Sequence, residues 1–148
     1  MEGATTTRRT PRRAWLAGAT ALREWAIAAP HRFLLLYGTP FLGYQAPATT
    51  IAHAAAVARA FLSPLPDATP PQEGGHGIPK ALSGHLQTMA GALQLTLTPA
   101  TTLAATGAFA RAIGLITMEL RGQFVGTFEP ADQLYAALLA RNADALGL

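Results

Sequence analysis

A single all-α domain, a helical bundle of about six helices, is the fold this sequence predicts. Three observations carry that expectation. Half of the 148 residues are hydrophobic and only 13% are charged, which favours a packed core over disorder. Much of the apolar share is alanine and leucine, both strong helix formers. Apolar residues recur at helical spacing in several stretches, and no period-two run outcompetes them. Clearest is Phe109 to Phe124, where Leu103, Ala110, Ile113, Leu120 and Phe124 define one face.

The elements follow in order. Residues 1–10 read as a disordered basic tail and 11–148 as the helical domain. Thr10-Pro11 is a helix start: Thr caps, and Pro at the first helical position loses no needed donor. Trp15, Ala19, Leu22, Ala26 and Ala29 then repeat on one face, with Trp25 beside them, until Pro30 breaks or kinks the helix. His31 to Tyr37 is a short helix apolar on several sides, with Gly38 as its C-cap. Thr39 to Pro47 is a rigid bridge whose Phe41 and Tyr44 fold inward. Thr49 to Leu62 is a third helix. A Pro- and Gly-rich linker around Pro64 to Gly77 follows.

Ala81 to Leu97 is a fourth helix, with a stripe of Leu82, Leu86, Met89, Leu93 and Leu97 that overrides a weak alternation at Leu93 to Leu97. Thr98-Pro99 repeats the cap-then-proline start and opens the long helix through Phe124. Pro130 opens the last helix, with Leu134, Leu138, Asn142 and Leu146 inside and Tyr135 and Leu139 beside them. No stretch gives the ~20 uninterrupted apolar residues of a bilayer span, because Arg111 and Glu119 break the best candidate.

Chemistry is scarce. The absence of cysteine excludes disulfides, thiolate metal sites and cysteine nucleophiles, and fits an intracellular setting. His31, His53, His76 and His85 lack metal-ligand spacing, so no metal is expected. Ser63 and Ser83 have no nucleophile-elbow context, and Gly74, Gly75 and Gly77 lack a P-loop lysine. No catalytic residue or cofactor is assigned. The net charge of +3 comes from Arg8, Arg9, Arg12 and Arg13 crowded at the start, a solvated terminus rather than a groove reader. Arg12-Arg13 before AWLAGATAL is also reminiscent of a twin-arginine export signal, but Arg23 and Glu24 interrupt the apolar run. Glu119 must pair or face solvent, with Arg111 or Arg121 as the expected partner.

The aromatics are informative as a set. Bulky rings among small alanines leave shaped gaps, and helical bundles bind small molecules between their helices. Phe33, Tyr37, Phe41, Tyr44, Phe61, Leu86, Met89, Phe109 and Ile113 are the pocket candidates.

Pro30 to Pro47, PHRFLLLYGTPFLGYQAP, closely resembles a stretch in the carboxy-terminal domains of TetR-type transcriptional regulators. There a short apolar helix ends in glycine and runs into a bridge of the form GYxAP, matched by Gly43, Tyr44, Ala46 and Pro47. FARAIGLITMELRGQF is similar to the same domain's Trp-His-Gly region. Phe109 stands in place of the Trp and Ile113 in place of the His, while Gly114, Glu119, Leu120 and Gly122 match. The resemblance runs from about Ala14 to Leu146.

It implies a TetR-regulator C-terminal-domain-like bundle that senses a small hydrophobic effector and forms a homodimer. The dimer would be a four-helix bundle of the last two helices of each subunit, which makes Leu115, Met118, Gly122, Leu134, Leu138 and Asn142 interface candidates. The segment before Trp15 offers no apolar helix-turn-helix pattern, so this chain alone is expected not to bind DNA. A cytoplasmic, non-enzymatic protein without membrane contact is expected. The alternative is a ligand-free helical interaction module that heterodimerises with a complete regulator.

Overall fold

The computed structural model describes residues 10–38, 48–66 and 77–148, together with the backbone only of part of the third helix. Six helices occur among them: α1 (Pro11–Ala28), α2 (Pro30–Tyr37), α3 (Ala48–Leu62), α4 (Lys80–Ala92), α5 (Pro99–Leu120) and α6 (Asp132–Ala145). No strand is present among the described residues. The fold is all-α, as the periodicity implies. Residues 1–9, the bridge containing Phe41 and Tyr44, and most of the Pro/Gly linker lie outside the described residues.

The helix starts follow local chemistry. The Thr10 hydroxyl accepts from the Arg13 amide at 3.4 Å, and Pro11 takes the first turn of α1. Thr98 does the same for α5, accepting from the Thr101 amide at 3.1 Å ahead of Pro99. Ala29 closes α1 through its amide to the Trp25 carbonyl, and Pro30 immediately opens α2. Gly38 ends α2, because a Cβ there would collide with the Leu34 carbonyl oxygen.

Three helices stop in the same way, with a left-handed residue that turns two amides back onto the last carbonyls. At α5 this residue is Gly122 (φ +71°), with Gly122 bonded to Glu119 and Gln123 to Met118. At α6 it is Gly147 (φ +71°). At α4 it is Gln94 (φ +58°), whose amide reaches Gly91 while Leu95 reaches Ala90. These stops correct the sequence-based ends. The α4 helix does not continue to Leu97: the chain turns at Leu93 and Gln94 and then runs without regular structure to Thr98, with Leu93 buried, Leu95 and Leu97 half-buried, and Gln94 and Thr96 exposed. The weak alternation is therefore the better description of that segment. Likewise α5 ends at Leu120 rather than Phe124, and α6 begins at Asp132 rather than Pro130.

The centre of the bundle is α5, which contacts each of the other five helices. Its buried face is Thr101, Thr102, Ala105, Ala108, Ala112 and Ile116. The sequence stripe had placed Leu103 and Ala110 inward; both are exposed. Small residues point inward because helices meet there at close range, and the larger side chains are left on the outside. The two threonines satisfy their hydroxyls locally: Thr102 donates to the Thr98 carbonyl at 2.9 Å, and the Thr101 and Thr98 hydroxyls are 2.9 Å apart. By length and a mean hydropathy of 1.3, α5 is apolar enough to cross a membrane. Here it forms the axis of a bundle instead.

On α6 the second half of the expected face is buried, at Asn142 and Leu146, while the first half is turned by one residue. Tyr135, Leu139, Asn142, Ala143 and Leu146 are buried, and Leu134 and Leu138 are only half-buried.

Replacing Gln94 by glycine removes the left-handed strain at the α4 stop, at the cost of one exposed hydrogen bond from Arg59 (3.1 Å). The expected gain is about 1 kcal/mol, read as a raised midpoint in urea unfolding.

Candidate functional site

A largely apolar pocket of about 360 Å³ opens between α1, α2 and α3. Its described walls are Gly18, Ala21, Leu22 and Trp25 from α1, Leu36 and Tyr37 from α2, and Val57, Ala60 and Phe61 from α3. The size falls within the range of small-molecule sites. The space exists because α1 presents small residues, Gly18 and Ala21, at helical spacing toward Ala60 of α3, while the large rings stand around them.

Those rings form a continuous arch. Trp25 packs edge-on against Phe33 (6.1 Å between centroids), Phe33 against Tyr37 (5.1 Å), and Tyr37 against Phe109 (6.2 Å). Phe109 meets Phe61 (5.2 Å), and Phe61 meets Trp15 (5.0 Å). The arch starts and ends on α1, passing through α2, α5 and α3. Edge-to-face contacts of this kind hold ring orientations as well as burying area.

The sequence candidates divide accordingly. Tyr37 and Phe61 line the pocket. Phe33 and Phe109 stand behind the wall as supports. Leu86 is buried on α4, and Met89 and Ile113 pack on the core; none of the three is in the lining. Phe41 and Tyr44 lie outside the described residues. Sequence reasoning missed the α1 wall, because Gly18, Ala21 and Leu22 carry no chemical signal. Trp25 was noted only as a neighbour of the α1 stripe, although its offset from that stripe is what turns it toward α2.

A polar clamp holds α1 against the last two helices. Both ends of the Arg23 guanidinium grip Glu119, Nε to Oε2 at 2.8 Å and Nη2 to Oε1 at 2.6 Å. The two side chains are 16% and 19% exposed, so the pair is well shielded. The partner of Glu119 is thus Arg23 on α1, rather than Arg111 or Arg121 on its own helix. The hydrogen bond to Glu119 holds the Arg23 proton more firmly than usual, against the opposing effect of burial. Arg23 also lies over the Tyr135 ring at 5.6 Å, and the Tyr135 hydroxyl donates to the Ala19 carbonyl at 2.8 Å. Burial pushes the Tyr135 phenol well above its ordinary range.

Farther along α1, Arg12 bridges Asp144 (2.7 Å) and the Leu148 main-chain oxygen (2.7 Å). Arg111 spends a donor on Asn142, 2.9 Å away. Asn142 is consequently buried inside the protomer. Of the other interface candidates, Met118 and Gly122 are exposed, and Leu115, Leu134 and Leu138 are half-buried. Among the described residues no cluster of three His, Asp or Glu side chains could hold a metal.

Removing one partner of the clamp strands a shielded charge. Arg23→Met or Glu119→Gln should each cost about 2 kcal/mol in urea unfolding, and the Arg23→Met/Glu119→Leu pair less than the sum. Tyr135→Phe tests the phenol. Its raised pKa means that its share of stability is complete below the unfolded value of about 10 and is lost as pH rises beyond it. The variant should lose about 1 kcal/mol at neutral pH. Its stability should then decline less steeply in alkali, the residual slope coming from Tyr37, which burial also raises.

Six helices among the described residues, a pocket between the first three, and exposed apolar side chains on α5 and the turn after it form one consistent set. No curated protein matches the chain. The family described as tetracyclin repressor-like, C-terminal domain, matches residues 15–142, nearly the whole length. The chain belongs to this family of regulator C-terminal domains.

Proposed function

We propose that this chain is the effector-binding and dimerising part of a TetR-like transcriptional regulator. It senses a small apolar molecule, acts without catalysis and works in the cytoplasm. In this reading the chain alone does not read DNA. The observation that carries the reading is the apolar pocket between α1, α2 and α3. It also sets effector sensing ahead of a ligand-free module that only heterodimerises, since such a module has no use for a lined cavity.

The mechanism is a population shift. A guest that prefers one spacing of α1, α2 and α3 biases the bundle toward it by its difference in affinity for the two arrangements. Helix α1 is the natural responder. It forms one wall of the pocket and is tied by Arg23 to α5 and by Arg12 to α6.

Dimerisation is supported by apolar side chains left exposed on α5 and the turn that follows it: Leu103, Met118, Val125 and Phe128 are all more than a third exposed. The half-buried Leu134 and Leu138 lie on the neighbouring helix.

Two measurements test the proposal. A bound apolar compound at a hundredfold excess over its Kd should add about 2.7 kcal/mol of stability, and Gly18→Leu should abolish the effect by filling the pocket. A Cβ at Gly18 meets nothing within 4 Å, so the new side chain starts into open space. Light scattering should show a dimer that Met118→Arg with Leu138→Arg converts to a folded monomer. A monomer at every concentration would refute dimerisation.

A further inference from the structure

The lining of the pocket restricts what it can hold. None of its nine described residues is charged. Two of them carry a polar side-chain atom, the Trp25 indole N–H and the Tyr37 hydroxyl, and neither makes a side-chain hydrogen bond among the described residues. Both can donate. Burial keeps the Tyr37 phenol protonated, since its pKa lies above the ordinary tyrosine value. Both rings pack on the same fully buried Phe33, at 6.1 and 5.1 Å, so the two residues share the α1–α2 corner of the pocket. The far wall, Val57, Ala60 and Phe61, has no polar side-chain atom.

Resting on the effector reading above, we propose that the pocket selects an uncharged, ring-containing molecule carrying a carbonyl-type oxygen. The oxygen takes the donors of Tyr37 and Trp25, and the ring system lies against Val57, Ala60 and Phe61. A carboxylate entering this lining would lose its water without gaining a cation, and an ammonium would gain no anion. An all-hydrocarbon guest would fit but offer neither donor an acceptor.

Four naphthalene probes of nearly equal size separate these cases: acetylnaphthalene, ethylnaphthalene, naphthoate and naphthylmethylammonium. Calorimetry on the 148-residue chain reads their affinities. Acetylnaphthalene should bind about tenfold more tightly than ethylnaphthalene, and both ions at least about a hundredfold more weakly than acetylnaphthalene. Tyr37→Phe and Trp25→Phe should each lower the preference for acetyl over ethyl, read as the ratio of the two affinities within the same variant. Equal binding of acetyl and ethyl probes, or an ion binding as tightly as the ketone, would overturn the proposed selectivity. In that event, loss of ethylnaphthalene binding in Gly18→Leu would still support the pocket as an effector site. Failure of all four probes to bind would overturn both.

Discussion

Close approach of helices through alanine is the constraint on which the rest of this structure depends. Ala105, Ala108 and Ala112 of α5, Ala19 and Ala26 of α1, and Ala143 of α6 are all buried, on helices that touch one another. Alanine faces allow axes to approach the short end of the usual interhelical range, and they order little side-chain entropy in doing so. They also bring little apolar area per residue. A bundle built this way places its bulk at a few points, and here those points are rings and leucines concentrated between α1, α2, α3 and α5. Packing tight at the axis and coarse at the edge leaves both a pocket and an unpartnered outer surface.

The two polar ties on α1 make sense in that setting. An alanine-lined contact is short-ranged and poorly directional, so it does not by itself fix rotation or sliding of one helix on another. The two-pronged Arg23–Glu119 pair and the Tyr135 bond to Ala19 set the position of α1 on α5 and α6, and Arg12 fixes its other end. The pocket wall at Gly18, Ala21 and Leu22 lies between these ties, and Trp25 just beyond the Arg23 tie. Under the effector reading proposed above, a guest would press on a helix held at defined points.

How much of this was legible beforehand differs by feature. The capped and proline-marked starts at Thr10-Pro11 and Thr98-Pro99 were readable, because capping is local chemistry. The end of α4 was not. Gln94 adopts a conformation usually left to glycine, and the stripe of leucines ran on past it. The inward face of α5 was misread for a related reason. Periodicity assigns the interior to the largest apolar residues, yet Leu103 faces out while Thr101 and Thr102 are wholly buried. For the site, Tyr37 and Phe61 stood out as aromatic residues, whereas Gly18 and Ala21 are visible only as an absence of bulk once α3 and α2 are in place.

The amino-acid sequence by itself determined the helical class, the positions at which most helices begin, the lack of thiol chemistry and the resemblance to regulator carboxy-terminal domains. Each of these depends on neighbours along the chain or on motif identity, which sequence states directly. Tertiary structure alone decided which face of α5 turns inward, that Tyr135 and Leu139 of α6 are interior while Leu134 and Leu138 are only half-buried, that Glu119 reaches across to Arg23, and that the cavity lies between α1, α2 and α3. Those outcomes depend on which helices meet and how closely. Chain spacing carries no record of that distance when the meeting surfaces are alanine and glycine.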